Sequence, residues 1–259
     1  MKQRIITAVI ALLALLAVLF LLPEQVALVV IVVVMLGGAW EWSAFLGVRG
    51  NAVRFTYVAL IAALIALLSF VDIDATLVFK IALVWWVSAL FWTFFFPTPI
   101  PVAVRWMSGA LVLVPLYEAL VILYNAAPEL LLFALLIVWV ADSGAYFAGR
   151  FLGRVKLAPD ISPGKTWEGV IGGLVAVVLL TLLRTTWAET DLKVFIPFCL
   201  AVASLSIVGD LTVSMFKRTA GVKDSGTLFP GHGGVLDRID SVSAAAPLFA
   251  LGLGWVGIV

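Results

Sequence analysis

Cysteine, histidine and charged residues are scarce in this sequence. Its 259 residues include one cysteine and one histidine, and only 12% of them are charged. The single thiol, Cys199, excludes an intrachain disulfide and a paired-cysteine metal or redox site, and its apolar neighbours predict a small buried side chain. The formal net charge is +1, so nothing in the charge balance indicates binding to nucleic acid.

Hydrophobic residues make up 64% of the chain, and the mean hydropathy is +1.21. This composition is far too apolar for a soluble domain, and it predicts an all-α polytopic membrane protein. Apolar runs of spanning length predict about nine transmembrane helices, with eight or ten left open. The fifth run is the weakest, because Pro115 and Glu118 interrupt it. The runs lie near residues 5–22, 26–47, 54–71, 76–96, 106–124, 129–149, 169–187, 193–214 and 241–259.

The first apolar run follows basic residues, as in a secretory signal peptide. We interpret it as a spanning helix, because it is about 18 residues long and no small-residue cleavage site precedes Pro23 and Glu24. The chain shows no repeat, low-complexity tract or soluble linker. We therefore predict one integral membrane domain over residues 1–259, with few motifs in residues 1–128 and the catalytic part in residues 129–259.

The basic residues predict the orientation, since Lys and Arg favour the cytoplasmic side of a membrane. With nine spans and the N-terminus inside, 13 of the 16 Lys and Arg residues face the cytoplasm. The other three are Lys80, Arg184 and Lys193. This topology also places two long, glycine-rich and basic loops on the cytoplasmic face, at residues 150–168 and 215–240. We expect the two loops to build one composite site.

The polar segment at residues 214–240 reads SMFKRTAGVKDSGTLFPGHGGVLDRID. Glycines let backbone N–H groups approach phosphate oxygens, Lys and Arg neutralise phosphate, and carboxylates hold a divalent cation. The segment therefore predicts a site for a phosphate and a metal. His232 could act as a general base, but its glycine neighbours favour a hydrogen bond to phosphate or a role in ordering the loop.

The other loop contains the motif Ser162-Pro163-Gly164-Lys165-Thr166, with Glu168 two residues further on. We predict a phosphate-binding corner, in which Ser162 and Pro163 start a helix whose N-terminal amides favour an anion and Lys165 adds a positive charge. The glycine spacing of a Walker A loop is absent. The alternative is a simple helix cap with Glu168 as the capping partner.

Four carboxylates fall inside predicted spans, where they are costly and usually functional. Asp142 and Asp210 each lie ~10–12 Å below the cytoplasmic end of a predicted helix, at 1.5 Å per residue. Together with Asp237 and Asp240 they could line a recessed pocket in which a divalent ion balances their charge.

The other two span carboxylates are Glu41 and Glu118. Glu41 stands between Trp40 and Trp42, and interfacial tryptophans are usually anchors. We interpret Glu41 as a snorkelling or helix-pairing residue, and Glu118 in the same way.

The segment at residues 214–240 resembles the signature of the phosphatidate cytidylyltransferases, also called CDP-diacylglycerol synthases, and fills every fixed position of it. The Ser-Pro-x-Lys-Thr-x-Glu motif before it and Asp142 in Ala-Asp-Ser-Gly-Ala-Tyr strengthen the resemblance. The resemblance implies CTP and phosphatidate as substrates and a multi-pass protein of a bacterial-type inner membrane with its active site facing the cytoplasm. Mg²⁺ is the predicted cofactor, the number of ions being open, and a homodimer is also left open.

We assign three groups of candidate residues on these grounds. The catalytic group is Lys217, Arg218, Lys223, Asp224, Asp237 and Asp240; the substrate-binding group is Ser162, Lys165, Thr166, Ser214, His232, Gly233, Gly234 and Arg238; and the metal-binding group is Asp210, Asp237, Asp142 and Asp240.

In the expected reaction an ionised phosphatidate oxygen attacks the α-phosphorus of CTP and pyrophosphate leaves. No general base is required, so catalysis consists of positioning and neutralising anions. A CTP-dependent lipid-alcohol (polyprenol) kinase, attacking the γ-phosphorus, is one alternative. An ion-coupled transporter with relay carboxylates is another, although no matching pair of broken spans marks inverted halves.

Overall fold

The computed structural model describes residues 2–48, 50–186, 191–228 and 233–255. In these residues the chain forms nine α-helices and one short antiparallel hairpin. The helices are α1 (Lys2–Phe20), α2 (Glu24–Trp42), α3 (Asn51–Phe70), α4 (Ala75–Thr93), α5 (Val102–Ala126), α6 (Pro128–Leu152), α7 (Trp167–Arg184), α8 (Leu192–Thr219) and α9 (Leu236–Gly252). The hairpin strands are β1 (Lys156–Ala158) and β2 (Ser162–Thr166).

The helices α2 to α8 are long and apolar enough to cross a membrane. In α1 the apolar stretch Ile6–Phe20 is shorter than the seven spans, and α9 has 17 residues. The prediction of an all-α polytopic membrane protein is confirmed, and each predicted run overlaps one helix of the described residues, although residues 187 and 256–259 of the seventh and ninth runs lie outside them. Pro115 does not break the weakest run, because α5 continues through it for 25 residues; neighbouring helices can satisfy the backbone group that a proline frees.

Aspartate residues cap the N-termini of two helices on the side of the bundle opposite the predicted site. The Asp74 carboxylate accepts a hydrogen bond from Thr76 N at 2.8 Å at the start of α4. Asp191 does the same for Lys193 N at 3.0 Å at the start of α8. Each carboxylate satisfies an amide that has no partner inside the helix, so these short acidic turns serve as helix caps.

Helix α9 lies at the centre of the bundle. It packs against α8, α5, α4, α6 and α2, and its residues from Asp240 to Pro247 are buried. Helices α6 and α7 form the closest pair beside it. Gly144, Gly172 and Gly173 leave no space there for a side chain, so the two backbones approach closely, as small residues allow in membrane helices.

Two predicted boundaries near the site are wrong. Helix α8 continues past residue 214 to Thr219, and α9 begins at Leu236 rather than at residue 241. Between the two helices lies a connecting segment, the loop at residues 220–235, of which the structure describes residues 220–228 and 233–235. The ends of the polar segment are therefore helical. The reason is that Lys217 and Asp237, one on each helix, form an ion pair, so their charges can be accommodated within packed helices.

The helix predicted to start at Ser162 and Pro163 begins at Trp167 instead. Residues 162–166 form β2, in which Ser162 pairs with Ala158 and Thr166 with Lys156. Thr166 then caps α7, because its Oγ1 accepts a hydrogen bond from Gly169 N at 3.1 Å. The predicted anion-binding helix start at Ser162 is thus a strand that leads into a capped helix.

Candidate active site

Lys217 on α8 joins two aspartates of α9. Its Nζ lies 2.8 Å from Asp237 Oδ1 and 3.7 Å from Asp240 Oδ2. Asp237 and Asp240 are three residues apart in the sequence, so they lie on the same face of the helix. The Lys217 residue is 7% exposed and Asp240 is 9% exposed, which means that this ion cluster is buried and each charge depends on its partners.

A second ion pair connects the hairpin to α8. Lys165 Nζ on β2 lies 2.6 Å from Asp210 Oδ2, and both side chains are partly accessible. Ser214 Oγ, one helical turn from Asp210, donates to the other carboxylate oxygen at 3.1 Å. The two polar loops predicted to share one site are therefore brought together. Arg218 adds a second link, because its Nε donates to Ile161 O at 3.1 Å.

Asp142 and Asp210 line a common cavity. Asp142 on α6 accepts a long hydrogen bond, 3.4 Å, from Ser241 Oγ on α9, and it lines the same cavity as Asp210 and Lys165. Ser241 also donates its backbone amide to Asp240 Oδ1 at 2.9 Å, so it connects Asp142 with the cluster around Lys217. The four aspartates predicted to surround a recessed pocket thus belong to two adjoining clusters.

The cavity between α6, α7, α8 and the hairpin has a volume of about 410 Å³. Its polar lining consists of Asp142, Lys165, Thr166 and Asp210. The rest of its wall is mainly apolar and includes Ala145, Tyr146, Leu157, Val170, Leu174 and Ile207. A cavity with charged and apolar walls suits a molecule that has both a charged and an apolar part.

The chemistry of the carboxylates suits a magnesium ion, which prefers oxygen ligands. Asp142, Asp210, Asp237 and Asp240 outnumber the two lysines that pair with them, and the excess negative charge favours a cation. However, within the described residues no three carboxylate, histidine or cysteine side chains converge in a metal-binding group. Magnesium at this site stays a prediction.

Asp237 is fully engaged by hydrogen bonds. Its Oδ1 accepts from Lys217, and its Oδ2 accepts from the backbone amides of Ser225 and Gly234, each at 2.9 Å. Asp142 and Asp210 face the cavity and have fewer contacts. Those two aspartates are therefore better placed to receive a metal ion.

The remaining predicted residues are distributed around the loop at residues 220–235. Lys223, Asp224 and Arg238 are exposed, as suits side chains that meet a soluble ligand. Gly233 is half-buried and precedes Gly234, whose amide binds Asp237. His232 lies outside the described residues.

The alternative reading of the hairpin motif as a helix cap is confirmed in part. Thr166 is the capping residue, while Glu168 accepts from Val155 N at 3.2 and 3.3 Å and so secures the hairpin. Ser162 is half-buried in β2. Lys165 is the side chain of the motif that reaches the carboxylates.

Of the two interpretations of Glu41, snorkelling is wrong, whereas pairing of helices agrees with its contacts, because Glu41 joins α2 to the start of α9. Its side chain is turned into the protein, the residue being 8% exposed, and it accepts hydrogen bonds from Ser225 in the loop and from Val235 and Leu236 at the start of α9. Its position in an apolar span indicated a functional role. Nothing in the neighbouring sequence indicated which residues it would contact.

Comparison with known proteins places these features in a family. Residues 2–255 match the sequence model of the Cytidylyltransferase family. A protein of Pseudomonas aeruginosa named phosphatidate cytidylyltransferase is 43% identical, over 98% of each chain. One of Haemophilus influenzae with the same name is 38% identical, over 96% of this chain and 97% of the relative. A third, from Staphylococcus haemolyticus, is 46% identical over 46% of each chain.

Proposed function

We propose that this chain, which belongs to the cytidylyltransferase family, transfers the cytidylyl group of CTP to phosphatidate and releases pyrophosphate. The product is CDP-diacylglycerol, a precursor in phospholipid biosynthesis. The single observation that carries the proposal is the cavity in which Asp142, Lys165 and Asp210 meet an otherwise apolar wall between membrane-spanning helices. The similarity to relatives named phosphatidate cytidylyltransferase over almost their whole length supports it.

Phosphatidate combines a phosphate with two acyl chains, and the cavity offers a complementary surface to each part. We expect the acyl chains to leave along the apolar wall and the phosphate to meet Lys165. Lys165 is now paired with Asp210 at 2.6 Å. Because that pair is partly accessible, its ammonium group can turn from the carboxylate to the lipid phosphate when the substrate binds.

CTP would approach from the loop at residues 220–235. Lys223 and Arg238 are exposed beside it and can neutralise a triphosphate. The attacking oxygen of phosphatidate is ionised near neutral pH, so the residues need only align the reactants and reduce the repulsion between two anions. A bound magnesium ion would neutralise charge on the triphosphate, and we propose Asp142 and Asp210 as its main ligands. Asp237 and Asp240 would join them only by exchanging their contacts with Lys217 for the ion.

The protein is a multi-pass membrane protein, and we propose the bacterial inner membrane as its location, with the active site facing the cytoplasm. The distribution of the basic residues supports this orientation. CTP, phosphatidate and membrane lipid are the proposed partners, with no nucleic acid among them. A homodimer stays a prediction that chemical cross-linking in isolated membranes would test.

The decisive experiment asks which phosphorus of CTP is attacked. Purified protein in detergent is given Mg²⁺ and CTP labelled at either the α- or the γ-phosphorus, with phosphatidate or a polyprenol as the lipid in separate reactions. A cytidylyltransferase transfers the α-label to the chloroform-soluble lipid and leaves the γ-label in pyrophosphate. A lipid kinase gives the opposite result with a lipid alcohol as acceptor, so γ-label in lipid without α-label would overturn the proposal.

A further inference from the structure

We infer that Glu41, on α2, is a positioning residue for the reaction: from the other end of the sequence it holds Ser225, in the loop, and the first turn of α9 in place. The inference rests on the proposed function for its catalytic consequence. The contacts of Glu41 that support it are observed in the structure and do not depend on the proposed function. None of the candidate groups assigned from the sequence includes Glu41.

Three donors converge on the Glu41 carboxylate. Oε1 accepts from Val235 N at 2.9 Å, and Oε2 accepts from Leu236 N at 2.8 Å and from Ser225 Oγ at 2.8 Å. Val235 and Leu236 stand where α9 begins, so the carboxylate lies at the positive end of that helix. A charge-assisted hydrogen bond is stronger than a neutral one, and here three of them act on one short segment.

The loop fits closely around this carboxylate. A Cβ atom added to Gly226 or to Gly234 would collide with it, which explains why glycine occupies both positions. No Lys or Arg in the described part of the chain forms an ion pair with Glu41. A buried carboxylate is costly unless its oxygens are hydrogen-bonded, so its negative charge is stabilised by the loop and the helix end themselves.

The same segment is held from its other side by Asp237. Ser225 donates its hydroxyl to Glu41 and its backbone amide to Asp237, while Gly234 N also donates to Asp237. Asp237 in turn pairs with Lys217. Glu41 is thus connected through Ser225 and the start of α9 to the buried ion cluster, and it determines where that cluster meets the loop.

The test compares Glu41→Gln with Glu118→Gln. Glu118 is another carboxylate within a predicted span, and it forms no hydrogen bond or ion pair with the described residues of the loop. An amide keeps one acceptor oxygen but presents N–H groups to a site that contains only donors. We expect Glu41→Gln to lower kcat/KM by at least about tenfold and to speed amide hydrogen exchange in the peptide around residues 220–236. Exchange in α6 and α7 should not change, and Glu118→Gln should alter neither quantity.

A second variant keeps the inference testable if Glu41→Gln does not fold. Ser225→Ala removes one of the three donors and leaves the backbone amide on Asp237, so it should lower kcat/KM and speed loop exchange to a smaller extent. The double variant should be less impaired than the product of the two single effects, because both remove the same hydrogen bond.

Unchanged loop exchange in both variants would overturn the inference, and so would faster exchange throughout the protein without a local change. Exchange is measured without substrate. Failure of the wild-type protein to make a nucleotide-lipid would therefore count against the proposed reaction, whereas normal exchange in the Glu41→Gln loop would count against the role of Glu41.

Discussion

The buried cluster around Lys217 leads to a prediction about stability. The substitution Lys217→Met keeps an unbranched side chain of similar length and removes the ammonium group. Asp237 Oδ1, at 2.8 Å, and Asp240 Oδ2, at 3.7 Å, then lose their only ion-pair partner among the described residues. Asp237 retains two backbone amide donors, and Asp240 retains the amide of Ser241.

The magnitude follows from distance and burial. At an effective dielectric constant of ~20, the attractions are about 6 kcal/mol for the nearer carboxylate and about 4 kcal/mol for the other, before the cost of desolvation. Breaking a buried pair by removing one partner typically costs about 3–5 kcal/mol. Because amide donors still stabilise both carboxylates, we expect a loss of about 3 kcal/mol in the free energy of unfolding.

Denaturant unfolding of the purified protein in mixed micelles, followed by tryptophan fluorescence, would measure the loss. Lys193→Met is the matched control, since Lys193 is an exposed lysine near the start of the same helix and should change stability by less than about 0.5 kcal/mol. A loss below about 1 kcal/mol for Lys217→Met would refute the reasoning, because it would place the pair in the range of solvent-exposed ion pairs.

The double variant Lys217→Met/Asp240→Asn separates charge from packing. It removes one of the two carboxylates that the single substitution leaves without a cation. We expect it to be more stable than Lys217→Met by about 1 kcal/mol or more. If Asp240→Asn were equally destabilising with and without Lys217, the two residues would not be coupled and the electrostatic account would fail.

Three further predictions concern activity and topology. Asp237→Asn should reduce turnover to less than about a tenth of the wild-type value, which corresponds to a barrier increase above ~1.4 kcal/mol. The reason is that an amide has one acceptor oxygen, whereas both oxygens of Asp237 accept hydrogen bonds. Greater retained activity in the lipid-product assay would exclude an essential role of Asp237. Lys223→Ala should raise the KM for CTP without changing stability, and Lys223→Arg should restore it only in part; equal KM values in all three proteins would contradict this. A cysteine at the exposed Thr227, in a Cys199→Ser background, should react with an impermeant thiol reagent only after cells are opened, and labelling of intact cells would reverse the proposed orientation.

The helices could be predicted from the sequence because each apolar run is long enough to span a membrane and is interrupted by polar turns. Their ends near the site could not. Residues 214–219 carry charges that suggest a loop, yet Lys217 is paired with Asp237 and the helix continues to Thr219. Helix ends depend on whether charged residues find partners in the folded protein, and those partners are not adjacent in the sequence.

Much of the candidate site could also be predicted, since its aspartates and lysines stand in two short segments with a recognisable spacing. The pairing between them could not. Lys165 meets Asp210 rather than extending from a helix start, because residues 162–166 join a hairpin and place the ammonium group over α8. A motif identifies the residue types of a site, whereas the ion pairs depend on the packing of α6, α7 and α8.

The contacts of Glu41 could not be predicted from the sequence, although the need for hydrogen-bond donors could. In the sequence it is a single carboxylate between two tryptophans, separated from its partners Ser225 and Leu236 by 184 and 195 residues. Burial of a carboxylate requires donors, so a carboxylate in a span with no cation nearby on its own helix must be satisfied by another element. The amides at the start of a central helix are suitable donors because helix formation leaves them without partners. The glycines at 226 and 234 then have a common explanation, since each makes room for the carboxylate of Glu41.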